Sequence, residues 1–162
     1  MESRAKFLGH PIHQTLIVFP LGLLATSVIF DAISFFAESP RWSEVAFYIM
    51  GAGIAGGMVA AVFGAIDFLA IPAGTRAKRI GALHCVGNVL VVLLFAASWL
   101  LRWNSPTFES TPAFVCSFTG AFLSLITGWL GGELVSRLGV GVADGANLDA
   151  PSSLSSKPAR KP

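Results

Sequence analysis

The sequence predicts an all-α integral membrane fold, a four-helix up-down-up-down bundle with its N- and C-termini cytoplasmic. Three observations carry that expectation: an apolar composition with little charge, four long apolar runs, and short loops whose basic residues gather on one side. Of 162 residues, 54% are apolar and only 12% charged, against about 45–50% apolar and about a quarter charged in soluble domains. The mean hydropathy is +0.70. These values exclude a soluble globular domain and make the lipid bilayer the first partner. The length suits one domain and leaves no room for a separate catalytic unit. A net charge of +2 gives no reason to expect nucleic acid as a partner.

The apolar runs cover about 11–37, 45–71, 80–101 and 112–134. Each is long enough to cross about 30 Å of hydrocarbon at about 1.5 Å per residue. No strand-like alternation accompanies them, so a barrel is not expected. The runs place a four-span membrane domain at 1–142. After Val142 the composition shifts to Asp, Asn, Pro, Ser and Lys, so 143–162 is expected to be a disordered cytoplasmic tail. Loops are expected at Glu38-Ser39-Pro40-Arg41, Pro72-Ala73-Gly74-Thr75-Arg76 and Asn104-Ser105-Pro106. Their shortness makes consecutive helices neighbours. Arg4, Lys6, Arg76, Lys78, Arg79, Arg137, Lys157, Arg160 and Lys161 fall on the side of the termini, against Arg41 and Arg102 opposite. The positive-inside rule then sets the terminal side in the cytoplasm. Trp42, Trp99 and Trp103 are expected to form an outer aromatic belt, with Trp129 nearer the inner boundary. The first run exceeds a signal-peptide core and carries His13 and Gln14 at its start, so it reads as a retained span.

Packing signals are clearest in the second span, where Gly51, Gly53, Gly56, Gly57, Ala60, Ala61 and Gly64 set overlapping small-xxx-small patterns. This helix is expected to be central. Gly128 with Gly132 repeats the spacing in the fourth span, and Gly22 with Thr26 more weakly in the first; all are read as contacts within the chain. Pro20 removes a backbone donor and predicts a kink in the first span. Cys85 and Cys116 lie near opposite ends of their spans and are expected to be free thiols.

Ionisable groups inside a span cost about 2.5–3.5 kcal/mol near its centre, so each needs a reason. They are His13, Asp31, Asp67, His84 and Glu133, with His10 at the threshold and Asn88 one turn from His84. Asp31 and Arg102 are expected to pair near the outer end. The other five, His10, His13, Asp67, His84 and Glu133, are expected at one level about a helical turn inside the cytoplasmic edge, where three readings compete. The first is a set of polar interhelical clasps, with the carboxylates set against Arg76, Arg79 and Arg137. The second is one haem b held by His13 and His84 as axial ligands. The third is a divalent metal ion bound by His10, His13, Asp67, His84 and Glu133. No nucleophile elbow, phosphate loop, HExxH or CxxC motif is present, and no inverted repeat is evident. An autonomous enzyme is not expected.

Gly9-His10-Pro11-Ile12-His13, Phe19-Pro20, Gly64-x-x-Asp67, Arg79 with His84 and Asn88, and Trp129-Leu130-Gly131-Gly132-Glu133-Leu134-Val135 followed by Gly139-Val140-Gly141-Val142 together resemble the DUF2231 family of bacterial membrane proteins. The resemblance spans about residues 7 to 142. It implies a multi-pass protein of the bacterial inner membrane with no established activity. Some relatives are associated with Rieske-type or cytochrome-type redox domains, which implies a membrane redox or accessory role and, since no such domain is appended here, a redox partner protein.

Overall fold

In the computed structural model, residues 1–155 are described; Lys157, Arg160 and Lys161, counted above toward the basic side, lie outside them. Helices dominate the chain. A small antiparallel hairpin comes first, with β1 (Lys6–Phe7) paired to β2 (His10–Pro11). Then follow α1 (Ile12–Leu16), α2 (Val18–Ala37), α3 (Pro40–Ala70), α4 (Arg76–Trp103) and α5 (Thr111–Ser136). Four stretches are long and apolar enough to cross a membrane: Ile12–Ala37, Pro40–Ala70, Arg76–Trp103 and Thr111–Ser136.

The helices outrun the apolar runs because polar end turns continue them. Pro40 suits the first turn of α3, where its missing N–H would be unpaired in any case. Thr75 starts α4, its Oγ1 accepting the Lys78 amide at 3.1 Å. In the first span the helix breaks at Ile17, three residues ahead of Pro20. That proline has no N–H to offer Leu16, so the ladder loosens just before it. The hairpin was not anticipated. Its turn residues Leu8 and Gly9 both have positive φ, at 51° and 85°, as tight two-residue hairpins require.

Helix α2 packs along α3, α4 along α5, and α3 also along α4, while α2 and α5 touch more sparingly. Helices α3 and α4 thus each pack along two neighbours, and the glycines of α3 explain how it does so. Pro20 lies against Gly56 and Gly57, Leu24 against Gly53, His13 against Gly64 and the Trp99 indole against Gly51. Without a hydrophobic drive in lipid, such close approach supplies the packing. Leu24, Met50, Val91 and Phe95 form the midlevel core, flanked by Val28, Ile54, Trp99, Ala121 and Leu123. Gly22, Gly128 and Gly132 behave differently. Nothing lies within 4 Å of a Cβ placed there, so the small-residue pairs of the first and fourth spans face outward and do not make the contacts within the chain that their spacing suggested.

At the end opposite the termini, Asp31 and Arg102 are both 0% exposed. Arg102 Nη1 and Nη2 donate to Oδ1 at 2.6 Å and Oδ2 at 2.7 Å. Ser117 donates to Oδ2 at 2.8 Å, and Ser98 Oγ accepts from Arg102 Nε at 3.3 Å. The guanidinium also lies 5.0 Å from the Phe114 ring centroid. A bidentate pair with its other valences filled is the geometry in which a buried ion pair is tolerated. Around it, Trp99 stacks on Phe47 at 5.2 Å and Trp42 on Phe30 at 5.4 Å. Among the described residues, Trp99 Nε1 alone is a buried side-chain polar atom without a hydrogen-bond partner.

Removing one member of the pair leaves the other charged and unpaired. Asp31→Ala should cost about 3–5 kcal/mol in unfolding of the detergent-solubilised protein, whereas Asp31→Leu combined with Arg102→Met should cost clearly less than Asp31→Ala alone.

Candidate functional site

The polar residues nominated from sequence lie on the face that carries the first residues of the chain, the α3–α4 loop and the end of α5. Each is held by a partner from another segment. Asp67, near the end of α3, is embraced by the N-terminal strap: Ser3 Oγ sits 2.7 Å from Oδ2 and 2.8 Å from Oδ1, and the Arg4 and Ala5 amides donate to Oδ1 at 2.7 and 3.3 Å. A carboxylate taking several donors is well compensated without a basic partner. Sequence reading expected an arginine there and missed the strap, because backbone amides leave no signature in residue identities.

Glu133, near the end of α5, takes a hydrogen bond from Arg76 Nη2 at 2.6 Å, one of the basic partners expected for the carboxylates. Arg76 opens α4, so this bond ties the start of α4 to the end of α5, away from the loop that joins those two helices. His10 is not at the helix start: it lies in β2, exposed, with Nε2 3.3 Å from Ser153 Oγ. His13 does fall in the first helical turn. Its Nδ1 is 2.8 Å from the Ala60 carbonyl oxygen and its ring fills the notch at Gly64, where a Cβ would come within 2.8 Å of Cε1.

His84 repeats this arrangement between α4 and α5. Its Nδ1 is 2.9 Å from the Thr127 carbonyl, and its ring occupies the notch at Gly131, 3.0 Å from a Cβ there. Asn88 stands over the ring, its Nδ2 2.8 Å from the His84 carbonyl and its Oδ1 accepting from Thr127 Oγ1 at 3.2 Å. Because carbonyls only accept, both histidines carry a proton on Nδ1, which leaves Nε2 with the lone pair of the neutral ring.

The five side chains thus share a face but do not converge. Among the described residues no three His, Cys, Asp or Glu side chains form a group able to hold a metal ion. Depth along a helix does not fix the bearing around its axis, so the expected convergence does not appear. The donors present therefore do not fit an ion that needs three or more ligands, and Nε2 of His84 already faces the Asn88 amide nitrogen at 3.3 Å. Cys85 and Cys116 are free. A cleft of ≈ 380 Å³ opens at the opposite face between Ser34, Glu38, Glu109 and Phe114, lined by none of the nominated residues.

The same face gathers further main-chain ties. Gly139 and Gly141 adopt positive φ of 64° and 81°, turning the segment after α5 so that the Gly139 carbonyl accepts from the Met1 amino group at 3.0 Å and Val140 from Gln14 at 3.4 Å. Residues 143–155 continue in turns. Glu2 bonds Lys6 and the Asp144 amide, which hold its carboxyl below the ordinary 4.5.

Two outcomes follow. Gly64→Ala should destabilise by about 1–3 kcal/mol through overpacking against His13, whereas Gly128→Ala and Gly132→Ala should leave the thermal midpoint in detergent unchanged or slightly raised. Asp67→Ala should release the strap, so that trypsin cuts after Arg4 and Lys6 about tenfold faster while the helical core stays resistant.

Comparison with known proteins adds the remaining fact. No curated protein and no solved structure matches the chain. Residues 9–144 match the family described as predicted membrane protein (DUF2231). The motif-bearing part of the sequence is thus covered almost from end to end, and the chain belongs to the DUF2231 family of membrane proteins.

Proposed function

We propose that this is a multi-pass protein of the bacterial inner membrane, with both termini cytoplasmic and a short cytoplasmic tail, that serves as a structural or assembly subunit. Its inner polar residues act as interhelical clasps. One observation supports this above the others: Asp67, Glu133, His13 and His84 each bond to a segment distant in sequence. Groups that close helices on one another give a stiff platform. The same face exposes basic residues suited to anionic headgroups and to an acidic partner.

A second reading is favoured by the tautomers of the histidines. A ligating imidazole usually gives its other N–H to a carbonyl or carboxylate, which fixes the ring and raises its basicity. His13 and His84 both do so, although Nε2 of His84 lies 3.3 Å from the Asn88 amide nitrogen, which a ligated metal would have to displace. In that reading they hold one haem b, and the protein has a membrane redox or accessory role with a redox partner protein.

One preparation decides between them. Detergent-purified protein from haem- and metal-replete cells should show no Soret band and no stoichiometric zinc, iron or manganese if the clasp reading holds, and His84→Ala should lower only its thermal midpoint. A Soret band lost in both His13→Ala and His84→Ala would replace that reading with the haem one, and stoichiometric metal without the band would replace it with the ion.

A further inference from the structure

The two histidines are 71 residues apart, the separation that also relates Asp31 to Arg102. Pro20 and Val91, Leu24 and Phe95, and Ser27 and Ser98 share that separation. Every one of these apart from the half-buried histidines is buried. Helices α3 and α5 show a matching register with its own constant offset. Ala46 pairs with Ala113, Gly53 with Gly120, Ala60 with Thr127 and Gly64 with Gly131.

Contacts repeat along with positions. His13 bonds the Ala60 carbonyl over Gly64, and His84 bonds the Thr127 carbonyl over Gly131. Leu24 presses on Gly53, with a Cβ there 2.8 Å from its side chain, and Phe95 presses on Gly120 at 3.0 Å. Each hairpin runs up and then down, so the copies are parallel. That relation differs from the inverted repeat sought in the sequence and corresponds to an axis along the membrane normal. Helices α2 and α4 stand diagonally across this axis, and the bond between Asp31 and Arg102 joins equivalent positions of the two copies.

We infer that the chain is a tandem duplication of one helical hairpin, fused as a dimer about an approximate twofold axis, and that the inner face of each hairpin is a docking surface for a like hairpin, including that of a second copy of this chain. The occupant follows from continuity with the interface already formed between the halves. The repeated histidine and glycine contacts lie within each hairpin, and the bonds that join the halves, Asp31 to Arg102 and to Ser117, do not require the two hairpins to share one chain. What favours the closed monomer is the short link from Pro72 to Thr75, which sets a high effective concentration. The copies differ where one has been specialised: Ser117, which bonds Asp31, stands where the first copy has Met50, and Asp67, which holds the strap, where the second has Leu134.

The test uses full-length chains with different tags, one carrying Asp31→Arg and the other Arg102→Asp. Each alone sets like charges across the axis, and exchange of hairpins between them restores two opposite pairs. Co-expressed, the two should co-purify at least about tenfold more than two tagged wild-type chains, given the cost of a buried unpaired charge; accumulation of the variants only when expressed together is the same result. Co-purification no greater than wild type, or failure to accumulate together as well as apart, overturns the inference. A third chain carrying Asp31→Arg with Arg102→Asp should regain most of the thermal stability lost by either single change, because Ser27 stands to position 31 as Ser98 does to Arg102. A swapped chain as unstable as the single variants would show that the two positions are not equivalent.

Discussion

Hydrocarbon supplies no hydrogen bonds, so every polar group taken into the bundle must find its partner in the protein. The requirement is steepest at Asp31 and Arg102, two full charges with no exposed surface. Their solution is complete: two parallel guanidinium–carboxylate bonds, one hydroxyl from Ser117, a hydroxyl acceptor in Ser98 and an aromatic face in Phe114. Because α2 and α4 otherwise scarcely touch, this bond fixes the rise of one hairpin against the other. Within each hairpin, Leu24 and Phe95 meet their glycines and the histidines their carbonyls in the same way.

The other end of the bundle obeys the same requirement with weaker means. Water and headgroups are near, and single hydrogen bonds suffice: imidazole to carbonyl, arginine to glutamate, amide to aspartate. Lys78 adds a bond to the Phe68 carbonyl at 2.7 Å while its ammonium rests 3.9 Å from the centre of that residue's ring, tying the start of α4 to the end of α3. A polar cluster gathered at one depth is thus a seam of separate bonds. Ends of this kind are stiffened by many small contributions, where the buried pair stiffens its end by one large one.

Much of this was legible in the residues. Apolar run length gave four helices, and loop shortness gave their order, because both follow from the thickness of a bilayer and the reach of a chain. The Asp31 partner was legible because Arg102, in the third span, is one of only two basic residues on the outer side and lies at matching depth. Asn88 was placed correctly beside His84 because one helical turn separates them. Rotation was what the sequence concealed. Whether Gly128 faces a helix or lipid, and whether Glu133 turns toward His84 or Arg76, depends on packing angles that no single span encodes. The strap on Asp67 was hidden for another reason, since its donors are mostly main-chain amides. The parallel repeat, by contrast, was present in the spacing of His13 and Asp31 against that of His84 and Arg102. It was masked because Asp and Arg, the most diagnostic mates, are opposite in charge.

That opposition bears on how the protein is made. Spans enter the bilayer in order, so Asp31 arrives with the first helix while Arg102 is still two helices away on the ribosome. An acid without its counterpart costs a span about 2.5–3.5 kcal/mol near the bilayer centre, and that cost is carried by the first span until α4 brings the guanidinium that offsets it.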